Sequence, residues 1–251
     1  MEYKPLIYCD WASNIDLGMF DKKITLSIDN IPEKLDGEIN VLLQIEPDSI
    51  SGQIANFIKN HDKFDLILCW DERLLNCKNS ELFPFGTSWV PAIEDVKNKK
   101  LKVSYITSSK SNTKNHVFRH EVFNYLKGVK DVEIMSHMSP PRIESKLPFY
   151  QDSMYSIVIE NDSVKNWFTE KLIDCLITST IPIYKGCPNI GDFFDRSGII
   201  TFDTISELEY ILNNINESFF KMKIETINKN RMEATKYSDI WKRISNRFKE
   251  L

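Results

Sequence analysis

An α/β protein built from two Rossmann-like halves that face one another is what this sequence predicts, and three observations predict it. Short β-rich runs recur along the chain and are continuously apolar rather than alternating, which suits strands covered on both faces. Between the runs at 40–45 and 64–70 lies a segment of helical periodicity, and a strand, a helix and a strand within about thirty residues make a βαβ crossover. The same pattern restarts beyond "FPFGTSWVPAIEDVKNKK", whose glycine, two prolines and Lys-rich patch place a boundary near residues 90–100.

In the first half the runs are "PLIYC" at 5–9, "KITLSI" at 23–28, "NVLLQI" at 40–45 and "FDLILCW" at 64–70. In "SISGQIANFIKNHDK" the residues Ile50, Ile54, Phe57 and Ile58 share one helical face, with Ser49 or Ser51 placed to cap it. The second half opens with "KVSYITSS" at 102–109 and a helical "KNHVFRHEVFNYLKG" at 114–128, where Gly128 stops the helix. "DVEIMS" at 131–136 and "MYSIVIE" at 154–160 read as strands, the latter most clearly. From Thr169, a fair N-cap, "TEKLIDCLITS" reads as a helix that buries Leu172, Cys175, Leu176 and Ser179. "TIPIYKG" and "GIITF" supply two further strands, and "SELEYILNNI" a helix. The tail closes with Tyr237, Ile240, Trp241, Ile244 and Phe248 on one stripe, expected to pack back on the body of the protein.

Composition sets the limits. With 251 residues, 42% hydrophobic and 12% aromatic, the chain can fill a real core and is not disordered. Its 32 basic and 36 acidic residues lack the footprint of a protein that grips long nucleic acid, although a small anionic ligand needs only one or two placed cations. The odd set Cys9, Cys69, Cys77, Cys175 and Cys187, without a CxxC pair, reads as buried free thiols in a reducing compartment. His116 and His120 stand four apart on a helix, but no zinc pattern accompanies them, and they read as ordinary histidines. There is no signal-peptide core and no apolar stretch of spanning length. The expectation is a cytoplasmic protein, soluble or in peripheral contact with a membrane.

In open α/β sheets ligands bind beyond the carboxyl ends of strands, where loops and helix N-termini meet. Glu160 and Asn161 stand at such a strand end, and Thr169, Glu170 and Lys171 open the next helix, whose unpaired N–H groups favour anions. Lys171 could add charge to a bound phosphate, while Glu170 suits sugar or ribose hydroxyls. Taken alone, "TEK" reads equally as a capped helix start with a lysine in solvent.

The longer order of strand, E-N, loop, F-T-E-K-L, helix and T-I-P-I-Y-x-G resembles the donor-nucleotide motif of the α1,3/1,4-fucosyltransferases, glycosyltransferase family 10. The resemblance covers roughly residues 40–205. It is strongest at 154–190, moderate at "FDLILCWDERLL" with "LFPFGTSW" and at "KVSYITSSKS" with "FRHEVFNYL". It implies a GT-B fold, with residues 1–96 as an acceptor-side domain and 97–251 as the nucleotide-sugar domain. It further implies an inverting, metal-independent transfer of fucose from GDP-fucose to a glycan hydroxyl in an α1,3-type linkage, with no cofactor.

Carried over by position, the resemblance assigns the diphosphate to Arg119 and Lys171, donor hydroxyls to Glu170, and a donor contact to Asn161. Trp167, three residues before the glutamate, would stack on or wall the nucleotide, or else be a core or rim aromatic. The general base would be Glu46, just after a strand in "LLQIEPDSI", with Asp71 and Glu72 at the next strand end as rivals. Two cations and a helix N-terminus would stabilise the departing diphosphate. A donor other than GDP-fucose, or a non-catalytic glycan- or nucleotide-binding module, are the alternatives. A dinucleotide oxidoreductase is excluded because "IYCDWASNIDLG" has no GxGxxG turn.

Overall fold

A computed structural model of the chain describes residues 2–9 and 15–251, so residues 10–14 of the segment that lacks a GxGxxG turn lie outside the described residues. In chain order the elements begin with β1 (Leu6–Tyr8), β2 (Ile24–Ile28), β3 (Ile39–Leu43), α1 (Asp48–Ser51), α2 (Ile54–Lys59), β4 (Leu66–Cys69), α3 (Glu72–Leu75) and β5 (Ser80–Leu82). Next come β6 (Lys100–Ser108), α4 (Lys114–Leu126), β7 (Glu133–Ser139), α5 (Leu147–Tyr150), β8 (Ser153–Ile159), α6 (Glu170–Ile177), β9 (Ile181–Lys185) and β10 (Ile200–Thr201). The helices α7 (Ile205–Asn214), α8 (Glu217–Met222), α9 (Ile224–Thr235) and α10 (Ile240–Phe248) complete the chain.

Two compact units result. The first comprises the chain up to Phe85, Lys165–Trp167 and Asp239–Leu251; the second comprises Gly86–Val164 and Phe168–Ser238. Against the division expected between residues 96 and 97, the first unit closes earlier and gains the C-terminal helix.

The winding of the first sheet explains that gain. Its strands are all parallel and lie in chain order, β1-β2-β3-β4-β5. Right-handed crossovers laid down in order fall on a single face. That face holds Leu42, Ile67 and Cys69 under Ile54, Phe57 and Leu74. The opposite face, with Leu26, Ile28, Val41, Leu43, Leu66 and Leu68, needs another cover, and Ile240, Ile244 and Phe248 of α10 supply it. The tail stripe packs as its spacing predicts, and Asp239 starts the helix by accepting Lys242 N–H at 2.9 Å.

One helix departs from the sequence reading. The segment after β3 is broken into α1 and α2 at Gly52, whose φ of 63° is left-handed and whose N–H turns back to Asp48 O. Neither Ser49 nor Ser51 caps a helix: α1 follows Pro47 and α2 follows Gln53, both without side-chain caps. The break leaves Ile50 exposed while Ile54 and Phe57 stay buried.

The second sheet is also all parallel, in the order β10-β9-β8-β6-β7. The chain makes β6, steps outward to β7, then returns past β6 to form β8 and continues the other way. Winding therefore reverses between β6 and β8, a switch point of the kind at whose carboxyl ends open α/β sheets bind ligands. The described strands of the first sheet contain no such reversal. Helices cover both faces: Leu172, Leu176 and Ala234 belong to the core on one side, and Val122, Leu126, Leu208 and Leu212 to the core on the other. None of the five cysteines is in a disulfide, and Cys69, Cys175 and Cys187 are buried. Among the described residues no helix is long and apolar enough to cross a membrane.

Candidate functional site

The end of β8 and the start of α6 form one polar unit. Thr169, in the extended conformation, is the N-cap of α6, its Oγ1 accepting Lys171 N–H. The same residue binds the fully buried Glu160: Thr169 N–H donates to Oε1 at 2.9 Å, and Thr169 Oγ1 donates to Oε2 at 2.7 Å. Burial pushes the Glu160 carboxyl up, against the pull of Lys171. Gly186, just past β9, keeps the space beside this carboxylate. A Cβ there would fall 2.6 Å from Glu160 Cγ and 2.5 Å from Tyr184 Oη.

Lys171 is held among oxygens. Its Nζ lies 3.2 Å from Thr169 Oγ1, 3.2 Å from Glu170 Oε1 and 3.8 Å from Glu160 Oε2, with about a quarter of the side chain open. Glu170 is 8% exposed. Burial alone would raise its carboxyl, but Lys171 and Lys146 beside it outweigh burial and hold it at about 2. It is an anion at neutral pH, able to accept hydroxyl hydrogen bonds and unable to donate one.

Lys146 extends the network. Its Nζ stands 3.5 Å from Glu170 Oε1 and 3.3 Å from Oδ2 of Asp174, one helical turn further on and fully buried. The other Asp174 oxygen fixes a loop, accepting Trp89 N–H at 2.7 Å and the Ser88 hydroxyl at 3.0 Å. Lys146 Nζ also lies 4.0 Å from the centroid of the Trp89 ring.

Asn161 and Arg119 meet at the switch point between β6 and β8. Thr113 caps α4 and donates through Oγ1 to Asn161 O at 2.6 Å, tying that helix to the loop after β8. His116 Nδ1 accepts Thr113 N–H, so the proton sits on Nε2, which donates to Asn161 Oδ1 at 3.2 Å. Burial and the neighbouring Arg119 charge pull the imidazole down to about 4, so it is neutral at physiological pH. Arg119 Nη2 donates to the same Oδ1 at 2.8 Å. Two donors on one oxygen fix the flip of the amide and turn Nδ2 away from them.

Two of the expected site residues are enclosed by the fold. Arg119 is 4% exposed, and its Nε and Nη2 are spent on Ile159 O at 2.9 and 2.6 Å. Its Nε and Nη2 edge is thus committed to a strand end and to Asn161. Trp167 belongs to the first unit and is 1% exposed. Its indole N–H donates to Ile45 O at 2.9 Å and its ring packs on Trp70, with centroids 5.8 Å apart. Of the two roles expected for it, it fills that of a core aromatic, with no open face for a nucleotide.

Glu46 also lies in the first unit, in the bend after β3. Its backbone is pinned by a residue the sequence did not single out. Asp29, left-handed at φ 51° just past β2, accepts Ile45 N–H at 2.8 Å and Glu46 N–H at 3.0 Å. Burial, with the Glu46 charge nearby, pushes the Asp29 carboxyl up to about 7. The rivals are otherwise engaged. Asp71 caps α3 and binds Arg73 at 2.7 Å, whereas Glu72 is exposed and paired with Lys165 at 3.0 Å. Glu170, Lys171, Asn161 and Arg119 are thus gathered in the second unit, and Glu46 and Trp167 in the first. Among the described residues no three His, Cys, Asp or Glu side chains converge as metal ligands.

No family model matches the chain, and no curated protein matches it by sequence. Solved structures do match. An α1,3-fucosyltransferase with GDP aligns at a TM-score of 0.56 and 14% identity, over 88% of this chain and 77% of that one. An α1,3-fucosyltransferase with GDP-fucose gives 0.55 at 14%, over 86% and 80%, and a third structure bearing that enzyme's name gives 0.53 at 13% over the same shares. At such identity the likeness is one of fold: the chain has the GT-B-like two-domain α/β architecture, two parallel sheets each flanked by helices.

Proposed function

We propose that this protein is an inverting glycosyltransferase that moves fucose from GDP-fucose to a hydroxyl of a glycan acceptor. The observation that carries the reading is the Glu160–Thr169–Glu170–Lys171 network at the start of α6, beside the carboxyl end of β8 in the sheet whose winding reverses. A helix N-terminus with an adjacent lysine suits a diphosphate, and a permanently ionised glutamate beside it suits ribose or sugar hydroxyls. The GT-B-like fold and the motif resemblance at 154–190 point the same way.

In this reading the acceptor oxygen attacks the anomeric carbon as its proton passes to the Glu46 carboxylate. The bond from that carbon to the β-phosphate oxygen breaks, and GDP leaves on the opposite face with the electron pair. Lys171 and the N–H groups of α6 offset the charge that develops on the diphosphate. Arg119 contributes mainly by orienting Asn161, whose Nδ2 serves as a donor to the nucleotide sugar. Asp29 holds the peptide that carries Glu46.

The test is turnover with a panel of GDP- and UDP-sugars, with and without EDTA, against lactose, N-acetyllactosamine and simple glycans. The reading expects GDP release from GDP-fucose that survives EDTA and falls about 10²-fold or more in Glu46→Gln. Release from a different nucleotide sugar alone would keep the transferase and remove fucose. GDP binding without turnover of any donor would favour a non-catalytic module.

A further inference from the structure

Trp89 is the most conspicuous side chain that the reading above leaves unused. It is 64% exposed, although the tripeptide around it is held firmly. Asp174, itself fully buried, accepts both Trp89 N–H and the Ser88 hydroxyl, while Ser88 N–H donates to Ser238 O at 2.9 Å and Ser88 Oγ accepts Val90 N–H at 3.3 Å. An indole on a mobile loop would gain little from a buried carboxylate. Here the backbone is fixed first and the ring is offered to solvent on that fixed base.

One face of the ring is occupied by Lys146 Nζ, 4.0 Å from the centroid, a close cation–π contact. The same ammonium touches Glu170 and Asp174. A continuous line of contacts therefore runs from Lys171 to Glu170, from Glu170 to Lys146, and from Lys146 to the indole. In chemical order these are a cation, a hydroxyl acceptor, a bridging cation and a flat π surface. A nucleoside diphosphate presents its groups in the matching order of phosphate, ribose hydroxyls and flat base. Lys146 is already neutralised by two carboxylates, so an anion is not what this end of the line would attract.

We propose that Trp89 is the stacking platform for the nucleobase of the donor nucleotide, with the diphosphate at Lys171 and the ribose at Glu170. The proposal rests on the nucleotide reading of the α6 site and names a nucleobase-binding element within it. Stacking of a base on an aromatic face is sequence-tolerant, so Trp89 would supply affinity for the nucleoside as a whole rather than choose guanine over uracil.

The experiment compares GDP and inorganic pyrophosphate, titrated calorimetrically into wild type, Trp89→Ala and Trp89→Phe. Trp89 is exposed, so the variants should fold, and a thermal melt on each sample verifies it. Expected are a loss of about tenfold in GDP affinity for Trp89→Ala, recovery to within about threefold for Trp89→Phe, and no change in pyrophosphate binding. Equal GDP affinity in wild type and Trp89→Ala would overturn the platform. So would a parallel loss for GDP and pyrophosphate, which would make Trp89 a prop for the Lys146–Glu170 contact. A loss of acceptor binding alone, at unchanged GDP affinity, would assign the ring to a sugar and also overturn it. If folded wild type bound no GDP, the nucleotide reading of the α6 site would fail, a result distinct from any of these.

Discussion

Asp29 shows how one residue can set the conditions for another. Its carboxylate receives two backbone N–H groups from the bend that carries Glu46, and burial lifts its titration from 3.8 to about 7. Below pH 4 the group is protonated whether the chain is folded or not. Between pH 4 and 7 the unfolded chain ionises it and the folded one does not. Stability contributed by this group is therefore full at low pH, falls as pH rises through that window, and is level above it. The slope is worth on the order of 2 kcal/mol after allowance for partial burial. Urea unfolding at several pH values should show it in wild type and lose it in Asp29→Asn; an identical slope in both would remove Asp29 as its source. The sequence showed Glu46 after a strand, but not that an aspartate from the neighbouring strand end holds its peptide, because that contact exists only once β2 and β3 pair. Trp167 and the Arg119 fork were illegible for a similar reason. Residue type and spacing do not say which hydrogen bonds the fold has already claimed.

At the scale of the element, α6 depends on a single side chain at its start. Thr169 caps the helix and satisfies the buried Glu160 through both its N–H and its hydroxyl. Thr169→Val keeps the shape and loses both hydroxyl bonds, at a cost of about 2 kcal/mol, while Thr169→Ser restores most of it. The midpoints of urea unfolding measure this. If Ser fared no better than Val, the hydroxyl would not be what holds Glu160. This cap was readable in the sequence, since a threonine before Glu-Lys and an amphipathic run is a local signal. The split between α1 and α2 was not, because the apolar face continued through Gly52 and the backbone did not. The strands were legible where their apolar runs were long. The three-residue β5, with one apolar residue among SEL, gave nothing to read.

The whole molecule turns on how each sheet is wound. The in-order sheet of the first unit needs α10 as a cover, so the last residues of the chain belong with the first ones. Ile244→Ala should cost about 2–4 kcal/mol and raise hydrogen exchange in β2, β3 and β4 more than in β6, β8 and β9. Equal loss of protection in both sheets would contradict that assignment. Alternation of strand and helix signals predicted two α/β halves. Strand order could not be read from them, so neither the bare face of the first sheet nor the reversal in the second was visible beforehand. That reversal, with the α6 network beside it, is the basis of the proposed nucleotide site.

The most direct measurement is a calorimetric titration of GDP into wild type and Lys171→Ala, with a thermal melt on each sample. The account predicts saturable binding by wild type and a loss of about tenfold or more in the variant, with the melt verifying that the variant is folded at the titration temperature, as expected for removal of a phosphate-paired charge. No binding by folded wild type, or equal affinity in the two proteins, would contradict it.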